Sequence, residues 1–80
     1  MERQVLFVCT GNHYRSRFAE ALFDARAKTL GLRWQAHSRG LALNPSNAGP
    51  ISPYCIEALR ARDIPLPDTR HPLALGLADL

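Results

Sequence analysis

The hydrophobic positions of this chain of 80 residues predict an alternation of strands and helices. Residues 4–9 (QVLFVC) are apolar almost without interruption, as in a strand of a parallel sheet that is covered on both faces. A helix is predicted from Arg15 and is expected to end at Gly31. Its apolar residues recur at helical spacing: Phe18, Ala21, Leu22 and Ala25. Between strand and helix, residues 10–14 are predicted to form a loop.

A second strand and a second helix follow. Residues 33–38 are predicted to form a short, half-buried strand, and residues 39–50, rich in Gly, Asn and Pro, a surface loop. Ser52 and Pro53 are typical of a helix N-cap and first turn. That helix is expected to extend to about residue 63, with Cys55 in the core, and to be ended by prolines 65 and 67. Residues 71–80 are expected to contain one or two further helical turns.

The order strand, loop, helix, strand, helix is the opening of a doubly wound α/β fold. An all-parallel sheet of two strands is hard to bury. We therefore expect residues 1–80 to be the N-terminal portion of one domain, truncated before its third strand.

Composition and charge narrow the class of protein. Hydrophobic residues at 46% and charged residues at 21% are typical of a soluble domain. The net charge of +3 comes without a basic run, so neither nucleic acid nor a membrane surface is an expected partner. The apolar run at residues 5–9 is too short for a signal peptide or membrane span, and a cytoplasmic location is expected. Cys9 and Cys55 match no zinc spacing and are expected to be free thiols, with no metal or cofactor.

Residues 9–16 (CTGNHYRS) carry the candidate chemistry. A loop between a strand and a helix start directs backbone N–H groups inward, and the helix dipole adds positive potential there. Arg15 supplies a two-pronged donor that matches two phosphate oxygens. The same field favours the thiolate of Cys9, so its pKa should lie well below that of a free thiol. A thiolate facing a phosphoryl group can attack it and form a phosphocysteine intermediate.

Residues 5–16 (VLFVCTGNHYRS) with residues 18–21 (FAEA) resemble the N-terminal signature of the low-molecular-weight protein-tyrosine phosphatase family. The resemblance implies a flavodoxin-like, phosphotyrosine phosphatase I-like parallel sheet of four strands. It also implies hydrolysis of phosphate monoesters of the phosphotyrosine type, with a phosphorylated protein or small phosphate ester as substrate and phosphate or a similar oxyanion as ligand. The larger tyrosine phosphatase superfamily places its cysteine late in the chain, usually after a histidine, and Val8 argues against it.

The resemblance also implies a role for each residue of the loop. Cys9 would be the nucleophile, Arg15 the clamp on the phosphate and the transition state, and Ser16 a hydrogen-bond partner of the thiolate. Asn12 would hold the loop in its strained shape, braced by Ser38. The positions implied to surround the phosphate are Thr10, Gly11, Asn12, His13, Tyr14 and Arg15, of which His13 and Tyr14 would face the substrate.

Two features of the family are missing from these 80 residues. The family's general acid is an Asp in an Asp-Pro pair towards the C-terminus, and no such pair occurs here. Without a positioned acid, a substrate with a poor leaving group should react about 10²–10⁴-fold more slowly. A histidine that joins the bracing of the loop in many members would fall near Asp68, and His71 is close to that position but not aligned with it.

Two alternative functions stay open. Arsenate reductases of similar fold share the Cys-Thr-Gly-Asn start, but they carry a second cysteine in the loop, where this chain has Tyr14. A truncated domain could also bind phosphate or a phosphorylated partner without turning it over. In the family's strand order a third strand beyond Leu80 would pair with residues 4–9. The bare edge predicts either a longer protein or a homo-oligomer that pairs this edge with another chain.

Overall fold

A computed structural model describes residues 3–47, 49–65 and 68–80. Two strands, two α-helices and a 3-10 turn follow one another along the chain: β1 (Arg3–Cys9), α1 (Arg15–Thr29), β2 (Trp34–Gly40), α2 (Pro53–Ala61) and the turn Leu77–Asp79. The strands pair in parallel, with Val5 opposite Ala36 and Cys9 opposite Gly40. The predicted α/β fold with a parallel sheet is confirmed.

Strand β2 runs two residues further than predicted, to Gly40, so the loop predicted for residues 39–50 is wrong at its start. Gly40 pairs on both sides, opposite Cys9 in β1 and in a parallel bridge with Ala74. The bridge consists of hydrogen bonds from the N–H of Gly40 to Leu73 O (2.8 Å) and from the N–H of Leu75 to Gly40 O (2.9 Å). Of residues 71–80, where helical turns were predicted, only 77–79 are helical. Nothing in the sequence near Gly40 predicts its pairing with Cys9 or with Ala74, because both partners are distant from it along the chain.

The helix ends follow the capping residues. Helix α1 ends at Thr29, and Gly31 has the positive φ (70°) of a glycine stop. The N-cap of α2 is Ser52, whose Oγ accepts the N–H of Tyr54 at 3.2 Å. This helix ends at Ala61, two residues before its predicted end, and Asp63 has a φ of 54°. The predicted stop at proline 67 lies outside the described residues.

The buried apolar residues include Ala27 of α1, Ala36 of β2 and a cluster between the two helices. Its buried side chains are Ala21, Ile51, Cys55 and Leu59. Strand β1 is less covered than its sequence predicts. Phe7 packs against Phe23 of α1, with ring centroids 5.9 Å apart. Val8, which strand alternation places on the opposite face, is 42% exposed. The described part of the chain thus covers one face of β1 with α1 and leaves Val8 open on the other. None of the helices described there is long and apolar enough to cross a membrane.

Candidate active site

The loop of residues 10–14 joins the carboxyl end of β1 to the first turn of α1. Asn12 adopts the left-handed conformation (φ 49°) that asparagine tolerates better than most residues. Its side chain is fully buried, and its backbone N–H donates to Sγ of Cys9 at 3.2 Å. The turn at Asn12 therefore directs a backbone donor at the thiol.

A hydroxyl group forms the second contact of the Cys9 sulfur. The thiol donates to Ser16 Oγ at 3.1 Å, and the same oxygen accepts Nδ2–H of Asn12 at 2.7 Å. Because Asn12 already supplies a proton to this oxygen, the hydroxyl proton of Ser16 is free to turn towards the sulfur once the thiol ionises. Ser16 is buried, so water does not compete freely for this contact.

These contacts favour the thiolate. Burial by itself raises the pKa of Cys9, but hydrogen bonds from the side chain and backbone of Ser16 and from the backbone of Asn12 and Gly11 outweigh it, so the pKa is lowered. Cys55 shows the opposite behaviour, since burial raises its pKa and the nearby Arg17 only partly offsets that effect. The pKa of Cys9 is therefore shifted in the direction expected of a nucleophile, and the pKa of Cys55 in the direction expected of a thiol in the core.

Arg15 lies at the mouth of the site. Two shallow cavities, of about 280 and 190 Å³, meet at Cys9, and Arg15 lines both. The first also contacts Thr10 and apolar side chains such as Val8 and Leu41. The second is bounded by further residues of the loop and one from outside it: Gly11, His13, Tyr14 and Asn47. Asn47 was not among the residues singled out from the sequence.

The side chain of Asn12 forms hydrogen bonds with α1, with β2 and with the segment that follows α2. Its Nδ2 donates to Ser38 Oγ (2.9 Å) at the buried end of β2, and Ser38 in turn donates to Glu20 Oε1 of α1. Its Oδ1 accepts the N–H of Leu73 (2.9 Å) and Nη1 of Arg70 (3.0 Å). Every polar atom of the Asn12 side chain thus has a partner, and sequence reasoning had found only Ser38 among them.

Within residues 3–47, 49–65 and 68–80, no three His, Cys, Asp or Glu side chains come together in a way that could hold an ion.

The two cysteines should differ in alkylation rate. At pH 6 iodoacetamide should modify Cys9 far faster than Cys55, because lowering the pKa raises the thiolate fraction and the buried Cys55 has a raised pKa. The rate at Cys9 should fall only when the pH drops below its lowered pKa, and inorganic phosphate should protect it. Peptide mass spectrometry after timed labelling measures both rates. Equal labelling of the two cysteines would contradict the assignment.

Gly40 lies against the backbone of the loop. A Cβ at this position would lie 2.9 Å from Thr10 O, 3.0 Å from the Asn12 nitrogen and 2.7 Å from Leu43 Cδ2. Because two of these atoms belong to the loop backbone, Gly40→Ala should displace the loop, weaken phosphate binding and destabilise the fold by about 1–3 kcal/mol.

Gly76→Ala is the matched control, since its Cβ would meet only Asp79 Oδ2 at 3.8 Å, an ordinary contact. Urea unfolding and phosphate titration of both variants measure the two effects. Gly40→Ala with wild-type phosphate affinity would show that the loop is not packed on β2 as described.

The parallel strands and the strand–loop–helix unit at Cys9 define the class of this chain, which is a flavodoxin-like α/β protein. Within that class, residues 4–73 match the low molecular weight phosphotyrosine protein phosphatase family, and the chain belongs to it.

The relatives that this chain matches are about twice as long as it is. It is 41% identical over 75 residues to a protein-arginine-phosphatase of Bacillus subtilis (strain 168), covering 94% of this chain and 49% of that relative. Among solved structures, a low molecular weight protein tyrosine phosphatase from T. tengcongensis superposes with a TM-score of 0.82 at 36% identity, covering 99% of this chain and 52% of that one. A mutant of the arginine phosphatase YwlE, whose active-site serine is phosphorylated, superposes with a TM-score of 0.72 at 37% identity, covering 89% and 45%. YwlE comes from Bacillus subtilis. The chain thus spans about half the length of these relatives.

Proposed function

We propose that this chain carries the nucleophile and phosphate-binding loop of a phosphatase that hydrolyses phosphate monoesters through a phosphocysteine. The observation that carries the proposal is the environment of Cys9. Its pKa is lowered by hydrogen bonds from Ser16, Asn12 and Gly11, and Arg15 lines both cavities at its mouth. A low-pKa thiol beside an arginine, at the N-terminus of a helix, is suited to attack an anionic phosphoryl group.

The reaction would proceed in two displacements. Sγ of the Cys9 thiolate attacks phosphorus, an S–P bond forms and the bond to the leaving oxygen breaks. The electron pair of that bond goes to the leaving oxygen, which takes a proton from water or from a general acid. Water then attacks the same phosphorus and gives up a proton to the solvent, and the S–P bond breaks to give phosphate and the thiolate. Ser16, placed 3.1 Å from the sulfur, stabilises the thiolate before the first step and after the second. The phosphorylated active-site serine of the YwlE mutant supports phosphoryl transfer to an active-site side chain in a relative of this chain.

Arg15 and the loop would hold the phosphoryl group. Backbone N–H groups at a helix N-terminus bind phosphate oxygens, and the guanidinium fork binds two more. The residues proposed for this contact are the loop positions Thr10 to Tyr14 together with Arg15, all but Asn12 of which line the two cavities at Cys9. Both features gain strength as negative charge spreads over the phosphoryl oxygens in the transition state.

The general acid is proposed to lie outside these residues. We propose that residues 1–80 are the N-terminal portion of a domain, since the chain spans about half of its relatives. The exposed face at Val8 and the pairing of β1 with β2 along one edge support this, because a further strand would pair with the open edge and a further helix would cover the open face. A second copy of the chain pairing along that edge is the alternative occupant.

Two substrate classes compete for the site. The family and the T. tengcongensis structure favour phosphotyrosine, whereas the relative from Bacillus subtilis is a protein-arginine-phosphatase and favours phosphoarginine. We propose a phosphotyrosine-type ester as substrate, with phosphoarginine as the second candidate. The residues bounding the substrate side are His13, Tyr14 and Asn47.

Steady-state kinetics on three substrates test this proposal. They are p-nitrophenyl phosphate and one peptide carrying either phosphotyrosine or phosphoarginine. We expect turnover of p-nitrophenyl phosphate, whose leaving group hardly needs an acid, and a higher kcat/KM for phosphotyrosine than for phosphoarginine. The reverse preference would assign the second substrate class. Binding of phosphate without turnover of any substrate would leave only a phosphate-binding domain.

Arsenate reduction gains no support from the site. Within residues 1–80 the loop carries Tyr14 where those reductases have a second cysteine, and Cys55 is fully buried with a raised pKa. A reductase of this type needs further accessible thiols to resolve an oxidised nucleophile.

A further inference from the structure

The side-chain amide of Asn12 has a fixed orientation. Its Oδ1 accepts the backbone N–H of Leu73 at 2.9 Å, and a backbone N–H can only donate. Nη1 of Arg70 donates to the same oxygen at 3.0 Å, and a guanidinium likewise has no acceptor. With Oδ1 on this side, Nδ2 must face Ser38 and Ser16, where it donates at 2.9 and 2.7 Å.

Arg70 holds this arrangement through both branches of its guanidinium. Nη1 contacts Asn12 Oδ1, while Nη2 contacts Ser38 Oγ at 3.1 Å and lies 3.4 Å from Glu20 Oε1. The two branches therefore reach the amide and the hydroxyl that braces it. A planar fork can make both contacts at once, whereas a lysine has a single nitrogen. The side chain of Arg70 is 24% exposed, and its fork ends on largely buried atoms.

A second guanidinium, that of Arg17, contacts the backbone of Asn12. Arg17 is buried, although it lies on a helix, and its Nη1 lies 3.5 Å from Asn12 O and donates to Pro50 O at 3.1 Å. Its Nη2 donates to Asp68 O at 3.1 Å. Arg17 thus ties the loop to the segment that carries Arg70.

We propose that Arg70 is a positioning residue for Cys9 and that it acts on the thiolate through Asn12. By fixing the amide, Arg70 keeps Nδ2 on Ser16 Oγ, which leaves the Ser16 proton for the sulfur. It also holds Asn12 in the left-handed turn from which its backbone N–H reaches Sγ. Arg70 contacts the Asn12 amide, and that amide contacts Ser16 Oγ, so the effect of Arg70 on the sulfur passes through Asn12 and Ser16. The proposal rests on the role of Cys9 given above.

The pKa of Cys9 is the readout, taken from the pH dependence of its alkylation by iodoacetamide. Arg70→Lys keeps the charge but loses the fork, so alkylation measured at pH values below the pKa of Cys9 should slow about tenfold, which corresponds to a pKa rise of about one unit. Arg60→Lys is the matched control, because Arg60 lies exposed in the last turn of α2, and its rate should not change. In Arg70→Ala, added guanidinium ion should restore part of the rate. Circular dichroism melts show that each variant is folded.

A double-mutant cycle tests the route through Asn12. Asn12→Gly removes the amide, and glycine accepts the positive φ at this position. In that background Arg70→Lys should change the alkylation rate no further. An undiminished effect would overturn the proposed route, and so would a wild-type rate in Arg70→Lys alone. If Cys9 of the unmodified chain reacts no faster than Cys55, the proposed function fails as well, so the two failures can be told apart.

Discussion

Replacing Cys9 by serine should abolish turnover of p-nitrophenyl phosphate while leaving phosphate binding nearly intact. A hydroxyl is a far weaker nucleophile than a thiolate at neutral pH, and loss of a nucleophile costs at least about 10⁴-fold in kcat. Phosphate affinity should persist, because the proposed binding contacts come from Arg15 and backbone N–H groups rather than from the sulfur. Steady-state assays and phosphate titration by calorimetry measure the two properties separately.

The control for this variant is Cys55→Ala, which removes the other thiol. Cys55 lies in the core between the helices and does not line the cavities at Cys9. We expect its turnover to stay at the wild-type level at temperatures where it is folded. Turnover that survives in Cys9→Ser but not in Cys55→Ala would identify Cys55 rather than Cys9 as the nucleophile and contradict the account.

Arg15→Lys should reduce both turnover and oxyanion affinity. A lysine at this position keeps the positive charge but offers one point of contact where the guanidinium offers two parallel donors. Loss of one donor to a developing oxyanion costs about 10²–10³-fold in kcat. Arg26→Lys, on the exposed last turn of α1, is the matched control and should leave both properties unchanged. A fall in kcat alone, with unaltered phosphate affinity, would show that Arg15 does not hold the ground-state phosphate.

The elements around the loop could be predicted because their signals are local. The apolar run before Cys9, the helical spacing after Arg15 and the Ser52–Pro53 cap each lie within a few residues, and each led to the right element. The same local signals identified the candidate nucleophile and its arginine, since a strand end, a loop and a helix start are consecutive in sequence.

The support beneath the loop could not be predicted in the same way. Arg70 is 58 positions from Asn12, and nothing near it in sequence indicates that its guanidinium reaches the Asn12 amide. The burial of Arg17 could not be predicted for a different reason, because a charged residue on a helix is normally assigned to the exposed face. Its burial is possible only because carbonyl oxygens of Pro50 and Asp68 receive its donors, and those contacts arise on folding.

Strand β1 shows how an apolar run can mislead about coverage. Its sequence predicts burial on both faces, yet Val8 is exposed while Phe7 packs on α1. The pattern correctly predicts a parallel strand, but it cannot say which segment covers the second face.

The position of a bound tungstate ion tests the central claim most directly. Crystals soaked in tungstate should show the ion against Cys9 Sγ, with its oxygens accepting backbone N–H groups of residues 10–15 and both terminal nitrogens of Arg15. That result would establish the loop as the oxyanion site and Cys9 as the residue facing the phosphorus position. An ion bound elsewhere on the chain, or loop N–H groups directed away from it, would contradict the account.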